Sequence, residues 1–394
     1  MTGAILTLNA GSSSLKFAVF AWSDPGAGPE FVGNIAGIGR QPAFKAKDAA
    51  GAPLDAGALA ALPSDADHAA IIAELLPWID RQLGDRELVA VGHRVVHGGR
   101  SYSAPTRITP KVLAELDTLV SLAPLHQPVN LAAIRAVAGW HADLPQVACF
   151  DTGFHQTQDR LAKLFALPRA LTEEGILRYG FHGLSYDYIA SILPAHLGPA
   201  ATGRVIVAHL GNGASLCAMK NGKSVATSMG FTALDGLVMG RRCGALDPGV
   251  VLHLMRENGM AADEIEHLLY NESGLYGVSG VSNNMEVLLN SPAPNAKEAV
   301  DLFCYRAASV LAGLIPGIGG LDALVFTAGI GENAPPVRKA ICERLDWLGV
   351  RISEDRNAAN EIRISAPDSS VGVFVLPTNE EAVVATACRT LLAV

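Results

Sequence analysis

The chain has 394 residues, of which 49% are hydrophobic and 17% charged, and a formal net charge of −8. One hydrophobic core rarely serves more than about 250–300 residues, so two domains are expected. The negative balance argues against a nucleic-acid or anionic-membrane surface, so any phosphate must be held by local groups.

The N-terminus shows no charged leader followed by an apolar run, so no secretory signal is expected. The stretch LTLNAGSSSLKFAVF (residues 6–20) then breaks a β-leaning run at Asn9-Ala10-Gly11-Ser12-Ser13-Ser14 and resumes it after Leu15-Lys16. Strands are expected at 4–9 and 15–21, and a row of small donors beside Lys16 is what an anion such as phosphate selects. Asp24-Pro25-Gly26 and the segment 41–64 read as loops or edge strands. Helices follow at 67–83, 110–121 and 129–139, with strands at 88–96 and 146–150. Arg94 interrupts the Val-rich strand 88–96 and needs an anionic partner, either an internal carboxylate or a bound anion. His93 and His97 are spaced i, i+4, but on a strand without carboxylates they read as packed histidines, not metal ligands. His126 in APLHQP reads as a loop histidine.

CFDTGFHQT opens the second half, with Asp151 at the carboxyl end of a strand, where ligands of α/β sheets bind. An ordinary aspartate turn explains it as well. RYGFHGLSY (178–186) sets Phe181 and His182 between glycines. RVIVAHLGNGASLC (204–217) repeats the opening plan of strand, small-residue turn with an asparagine, Ser-Leu and strand, then reaches an Asn221-Gly222 hairpin turn. Two such turns point to a duplicated domain. Gly222-Lys223-Ser224 is not a P-loop, because Cys217 occupies the required glycine position. GRRCGALDPG (240–249) is either an anion clamp or a solvated loop. The apolar stretch from Ala307 to Ile330 could pass for a membrane span, but Pro316, Gly317, Gly319, Gly320 and Asp322 divide it into helix, turn and buried strand. In ALVFTAGIGENAPPVRKAI (323–341) a strand ends in the loop Gly329–Asn333, and Pro335-Pro336 opens a helix whose free N–H groups suit a phosphate or nucleotide. Gly329-x-Gly331-x-x-Ala334 also meets the weak dinucleotide fingerprint, which keeps a nicotinamide dehydrogenase as a rival. LPTNEEAVVA (376–385) places Glu380 in the first turn of a helix, where ordinary capping would explain it. Six cysteines (Cys149, Cys217, Cys243, Cys304, Cys342, Cys388) form no C-x-x-C pair, which fits reduced thiols in a cytoplasm.

In this order, LNAGSSSLKF, GHRVVHGG, FDTGFH, YGFHGLSY, HLGNGAS, FTAGIGEN and PTNEE resemble the acetate kinases over essentially the whole chain. The resemblance implies a duplicated actin-like (ribonuclease H-like) α/β fold, with mixed sheets flanked by helices and a cleft between domains of 1–150 plus 381–394 and 151–380. It implies reversible, in-line phosphoryl transfer from ATP to acetate, giving ADP and acetyl phosphate, with Mg²⁺ (or Mn²⁺), in a cytoplasmic homodimer that takes small-molecule substrates and neither nucleic acid nor membrane. By resemblance, Asp151, His182 and Arg242 are catalytic: Asp151, with no proton to remove, is expected to order Mg²⁺ water or Arg94, and His182 and Arg242 to stabilise the transferring phosphoryl group. Arg94 holds the substrate carboxylate or the acyl phosphate, and Val96, Leu125, His126 and Phe181 surround the acyl group. Asn9 and Glu380 are the metal positions. Lys16, His209, Leu210, Gly211, Asn212, Gly213, Asn284, Met285, Glu286, Gly329, Ile330, Gly331, Glu332 and Asn333 match nucleotide-binding segments.

The chemistry is consistent with this assignment. A carboxylate titrating near ~4 is ionised at neutral pH and needs no general base, so alignment and charge compensation are the enzyme's task. Three places depart from the family pattern: Ala233 stands for a proline, Arg241 adds a charge before Arg242, and Asn284 and Glu286 replace an Asp and an Arg at the adenosine site. The last leaves an unusual phosphoryl donor open, beside propionate kinase as the nearest alternative. A non-catalytic actin-like nucleotide binder would have no use for Arg94, Asp151 and Arg242 together.

Overall fold

A computed structural model describes residues 3–11 and 13–392; Ser12, in the first small-residue turn, lies outside them. The chain divides into two compact units, Met1–Phe154 with Asn379–Val394, and His155–Thr378. Asp151 and Glu380, placed by the sequence in the second domain, therefore belong to the first unit.

In the first unit the strands β1 (Ala4–Gly11), β2 (Ser14–Ala21), β3 (Phe31–Ala36), β4 (Ala43–Asp48), β5 (Leu88–Val95), β6 (Thr106–Arg107) and β7 (Gln146–Phe150) form one sheet in the order β4-β3-β2-β1-β5-β7-β6. The first four make an antiparallel meander; β5 and β7 then add parallel to β1. Parallel steps need crossovers, supplied by the helices His68–Leu83 and Gln127–Trp140. Asp67 caps the first by accepting from the Ala70 amide at 2.8 Å, and Gly84 ends it. Its inner face buries Ile71, Leu75, Trp78 and Ile79 against Leu6, Leu8 and Phe17 of the sheet. Each such side chain contributes roughly 1.5–3 kcal/mol of burial. The segment 41–64 supplies the edge strand β4, whose outward Lys45 and Lys47 discourage further strand pairing, and a short turn at Gly57–Ala61.

In the second unit β8 (Arg204–Leu210), β9 (Ala214–Lys220), β10 (Lys223–Thr227), β11 (Ala323–Thr327) and β12 (Gly372–Val375) run in the order β10-β9-β8-β11-β12. Two antiparallel pairings are followed by two parallel ones, the same pattern as β3-β2-β1-β5-β7. The two small-residue turns thus occupy equivalent hairpins, β1–β2 and β8–β9. Asn221 and Gly222 both take positive φ (53° and 67°) to turn β9 into β10.

The helix Pro294–Ile318 is long and apolar enough to cross a membrane by length and composition. Its Ala299, Phe303, Ala307 and Leu311 are buried within the unit, and Gly319 (φ 75°) ends it before β11, as the interrupted apolar stretch predicts. One expectation fails. Gly329–Asn333 is not a loop but most of a short helix, Ala328–Asn333, separated by Ala334 from the helix Pro335–Glu343.

Candidate functional site

In the first unit the carboxyl ends of the parallel neighbours β1, β5 and β7 bring together three polar side chains. Asn9 lies near the end of β1, Arg94 near the end of β5, and Asp151 directly follows β7. The guanidinium of Arg94 donates from Nε to both oxygens of Asp151 (3.0 and 3.1 Å), from Nη2 to Asp151 Oδ2 (2.5 Å) and from Nη1 to Asn9 Oδ1 (2.9 Å). Glu380, at the start of the helix Glu380–Leu392, accepts from Asn9 Nδ2 at 3.4 Å and lies 3.8 Å from Arg94 Nε. The open question of Arg94's partner is answered by a buried carboxylate, Asp151 being 1% exposed. Burial works against the charge of Arg94, but Asp151 and Glu380 outweigh it and hold the guanidinium firmly protonated. Burial pushes Glu380 up to about 7, with Asp151 and Glu381 adding to the shift and Arg94 and Lys16 opposing it.

Among the described residues no cluster of three or more His, Cys, Asp or Glu could hold a metal ion. Asn9 and Glu380 nevertheless fit Mg²⁺. That ion takes hard oxygen donors and is commonly bound by one or two protein groups plus substrate phosphates, and a cation there would relieve the negative crowding at Glu380.

The remaining first-unit residues are tied to this edge of the sheet. Val96 donates its amide to Asn130 Oδ1 (3.0 Å), while Asn130 Nδ2 donates to Ala10 O (2.7 Å), so Asn130 locks the end of β5 to the end of β1. Sequence reasoning passed over Asn130, a helical asparagine with no motif around it. His126 immediately precedes the helix Gln127–Trp140, and Leu125 is exposed. Lys16 faces Asn9 across the β1–β2 ladder. His93 hydrogen-bonds Gln146 Oε1 through Nε2 (2.7 Å), and His97 Nδ1 accepts from the Gly99 amide (2.8 Å); burial lowers both to about 4, so they stay neutral.

In the second unit the turn between β8 and β9 is met by two groups predicted from sequence. A Cβ on Gly213 would lie 2.9 Å from Arg242 Nη2 and 3.0 Å from His182 Nε2, so both nitrogens converge on this backbone. His182, in the left-handed region (φ 59°) at the start of the helix Gly183–Leu197, stacks on His209 with ring centroids 4.3 Å apart at 15°. Its Nδ1 lies 2.8 Å from Ser215 Oγ, and His209 Nδ1 lies 2.8 Å from Ser185 Oγ. Arg242 Nη1 donates to Ala233 O at 2.6 Å. The neighbouring Arg241 turns elsewhere, donating to Asn271 O and lying over the Tyr276 ring. Phe181 is buried, its carbonyl accepting from His155 Nε2 (2.9 Å).

Beside the same turn lies a cavity of about 850 Å³ lined by Gly211, Asn212, Asn284, Met285, Glu286, Gly329, Ile330 and Asn333, all predicted, and by Asn283, Leu289, Asn290, Ala334 and Pro336, which were not. Asn212 is held by Asn283 Nδ2 (3.1 Å to Oδ1) and by Gly240, where any side chain would collide with it. Asn284 caps the short helix Met285–Leu289, accepting from the Glu286 and Val287 amides (2.8 and 3.4 Å), and Glu286 occupies its first turn, where a carboxylate suits the positive end. Not every predicted residue faces the cavity. Glu332 accepts from the amides of Ala328 (2.8 Å) and Thr378 (3.2 Å), closing its own helix, and Leu210 and Gly331 are buried.

The model of the Acetokinase family matches residues 4–386. The chain belongs to the acetokinase family. Acetate kinase of Rhodopseudomonas palustris is 52% identical over 391 residues, 98% of this chain and 97% of that protein, and acetate kinase of Methylocella silvestris is 47% identical with the same coverage. Among solved structures, a propionate kinase from Francisella tularensis superposes with a TM-score of 0.90 at 35% identity over 98% of each chain. The Porphyromonas gingivalis acetate kinase gives 0.87 at 34%, covering 99% of this chain and 100% of that one. Acetokinase membership makes this a phosphotransferase with a carboxyl group as acceptor and ATP as co-substrate, which sets aside the dehydrogenase and the non-catalytic binder.

Proposed function

We propose that the enzyme transfers the terminal phosphoryl group of ATP to acetate, reversibly, in the cytoplasm, with propionate as the nearest alternative acceptor. The observation that carries the reading is the convergence of Arg242 Nη2 and His182 Nε2 on Gly213, next to a cavity of nucleotide size. A guanidinium and an imidazole N–H at one backbone turn are suited to the charge that develops on a phosphoryl group in flight. Gly211 and Asn212 border the cavity and Gly213 adjoins them, so ATP lying in the cavity has its phosphate chain at that turn.

Arg94 binds the acetate carboxylate. Three of its five N–H groups are committed to Asp151 and Asn9 among the described residues, leaving two for the substrate. Asp151, with both oxygens engaged by Arg94, orients that guanidinium and is not a base; acetate has no proton to give up. Val96, Leu125, His126 and Phe181 select the acyl chain. Mg²⁺ held by Asn9 and Glu380 would neutralise phosphate charge.

A hydroxamate assay with acetate, propionate and butyrate, and with ATP, GTP and pyrophosphate, tests the reading. The expected order is acetate first and ATP as the effective donor. Turnover with pyrophosphate alone would show that the Asn284/Glu286 cavity has changed its use, and a higher kcat/KM for propionate would make that the substrate.

The reading includes a homodimer. The helix Pro248–Arg256 has no buried residue, and Leu246, Val250, Leu252 and Met255 stand exposed on it or beside it, which suits burial against a second copy. Light scattering should give twice the chain mass, falling to one on Leu252→Glu/Met255→Glu; an unchanged monomer before and after would refute it. The cysteine side chains, five of them buried, fit the reducing cytoplasm.

A further inference from the structure

The two stacked imidazoles of the second unit share a device that the motifs do not reveal. His182 and His209 each present Nδ1 to a fully buried serine hydroxyl, Ser215 and Ser185 respectively. Ser215 Oγ has a further partner, the phenol of Tyr186, at 2.5 Å. Tyr186 is itself wholly buried, and burial drives its pKa well above the ordinary value, so it remains an O–H donor.

We infer that Tyr186 and Ser215 are positioning residues that fix the tautomer of His182, so that its Nε2 carries the proton toward the phosphoryl position at Gly213. The inference rests on the proposed role of His182 as a donor to the transferring group. The proton count leads there directly. An imidazole helps a phosphoryl oxygen only as an N–H donor, and the nitrogen facing Gly213 is Nε2. Burial, the stacked His209 ring 4.3 Å away and the nearby Arg242 guanidinium all disfavour an imidazolium. A neutral ring protonated at Nε2 has a bare Nδ1, which must accept. Ser215 therefore spends its one proton on Nδ1, and its oxygen accepts from Tyr186. The chain of donation runs from Tyr186 O–H to Ser215 Oγ, from Ser215 Oγ–H to His182 Nδ1, and ends on the outward Nε2–H. No charge moves; the orientation of two hydroxyls decides which ring nitrogen can donate.

The test is ¹⁵N NMR of the histidine-labelled full-length enzyme, with the His182 signals assigned from His182→Gln, alongside steady-state kinetics. Wild type should show a protonated Nε2 and a bare Nδ1 at His182. In Ser215→Ala and Tyr186→Phe the ring should populate the Nδ1–H form. There kcat should fall about 10- to 100-fold, while the KM values for ATP and acetate stay within about twofold, because ground-state binding is untouched. Ser215→Thr, which keeps the hydroxyl, should retain both the wild-type nitrogen pattern and most of kcat. A wild-type ring protonated at Nδ1, or at both nitrogens, overturns the inference even if no variant folds. Unchanged nitrogen signals and kcat in both variants overturn it too. A wild type that shows the expected nitrogens but forms no acyl phosphate would sink the proposed reaction and leave the tautomer assignment standing.

Discussion

Replacing Arg242 by alanine should lower kcat by about 10³-fold or more, the scale on which an arginine that stabilises a transferring phosphoryl group contributes. The melting temperature should scarcely move. Arg242 is only half-buried, and its bond from Nη1 to Ala233 O reaches a carbonyl of a residue that is half-buried as well. Its Nη2 and His182 Nε2 both approach Gly213, where the proposed reaction would have charge appear during transfer. Arg242→Lys should recover only part of the rate, since an ammonium is a point charge without the planar fork. Single-turnover kinetics with saturating ATP and acetate would check this. A loss smaller than about tenfold would remove Arg242 from the chemistry.

Arg94→Ala should have the opposite signature. Asp151 is almost wholly buried and owes its compensation to this guanidinium, with Glu380 close by. Deleting one partner of a buried pair costs about 3–5 kcal/mol, because the stranded carboxylate cannot reach water. For a unit of this size that is on the order of 10 °C in melting temperature. The KM for acetate should rise at the same time. Removing Asp151 as well should restore part of the stability, since the carboxylate most deeply buried against Arg94 is then no longer stranded. Calorimetry on the two single variants and the double variant gives the answer. A double variant no more stable than Arg94→Ala would mean that the pair is not what holds this edge of the sheet together. Two arginines predicted from one sequence thus separate into a kinetic and a structural pattern of loss.

The plan of the fold was legible where residue chemistry is local. The stretches Asn9–Ser14 and Gly211–Gly213 stand out because each breaks an apolar β-leaning run with small and amide residues and the run then resumes. β1 in fact continues to Gly11 and β2 starts at Ser14, and the pairs β1–β2 and β8–β9 hold equivalent places in their sheets. Arg94 was legible from its strand as a buried cation in need of an anion. The resemblance supplied Asp151 as one group expected to order it, and the two are hydrogen-bonded; the approach of Glu380, from a helix far along the chain, was not read. The glycines of Gly329–Asn333 favoured a loop, yet the segment is helical. Glu332 bends back to cap the Ala328 amide, and this local bond offsets the weak helix preference of glycine. Ser215 and Tyr186 fall inside the motifs HLGNGAS and RYGFHGLSY but were given no role, and Asn130 lies in no motif at all. Neutral hydroxyls and amides act through geometry, and only their neighbours in space reveal what they hold.

The return of the chain to the first unit has a consequence for synthesis. The helix Glu380–Leu392 buries Val384, Ala385 and Cys388, fits Val384 against Gly92 of β5, where no Cβ could be accommodated, and anchors Arg389 to the carbonyls of Ala21 and Trp22. Until the ribosome has released this segment, the sheet made from the earliest residues lacks the helix that packs on β1, β5 and β7 and the carboxylate of Glu380. The half translated second can therefore finish first. The opening half stays an incomplete platform until translation has passed residue 392, a stage at which nascent chains depend on chaperones to shield exposed apolar surface.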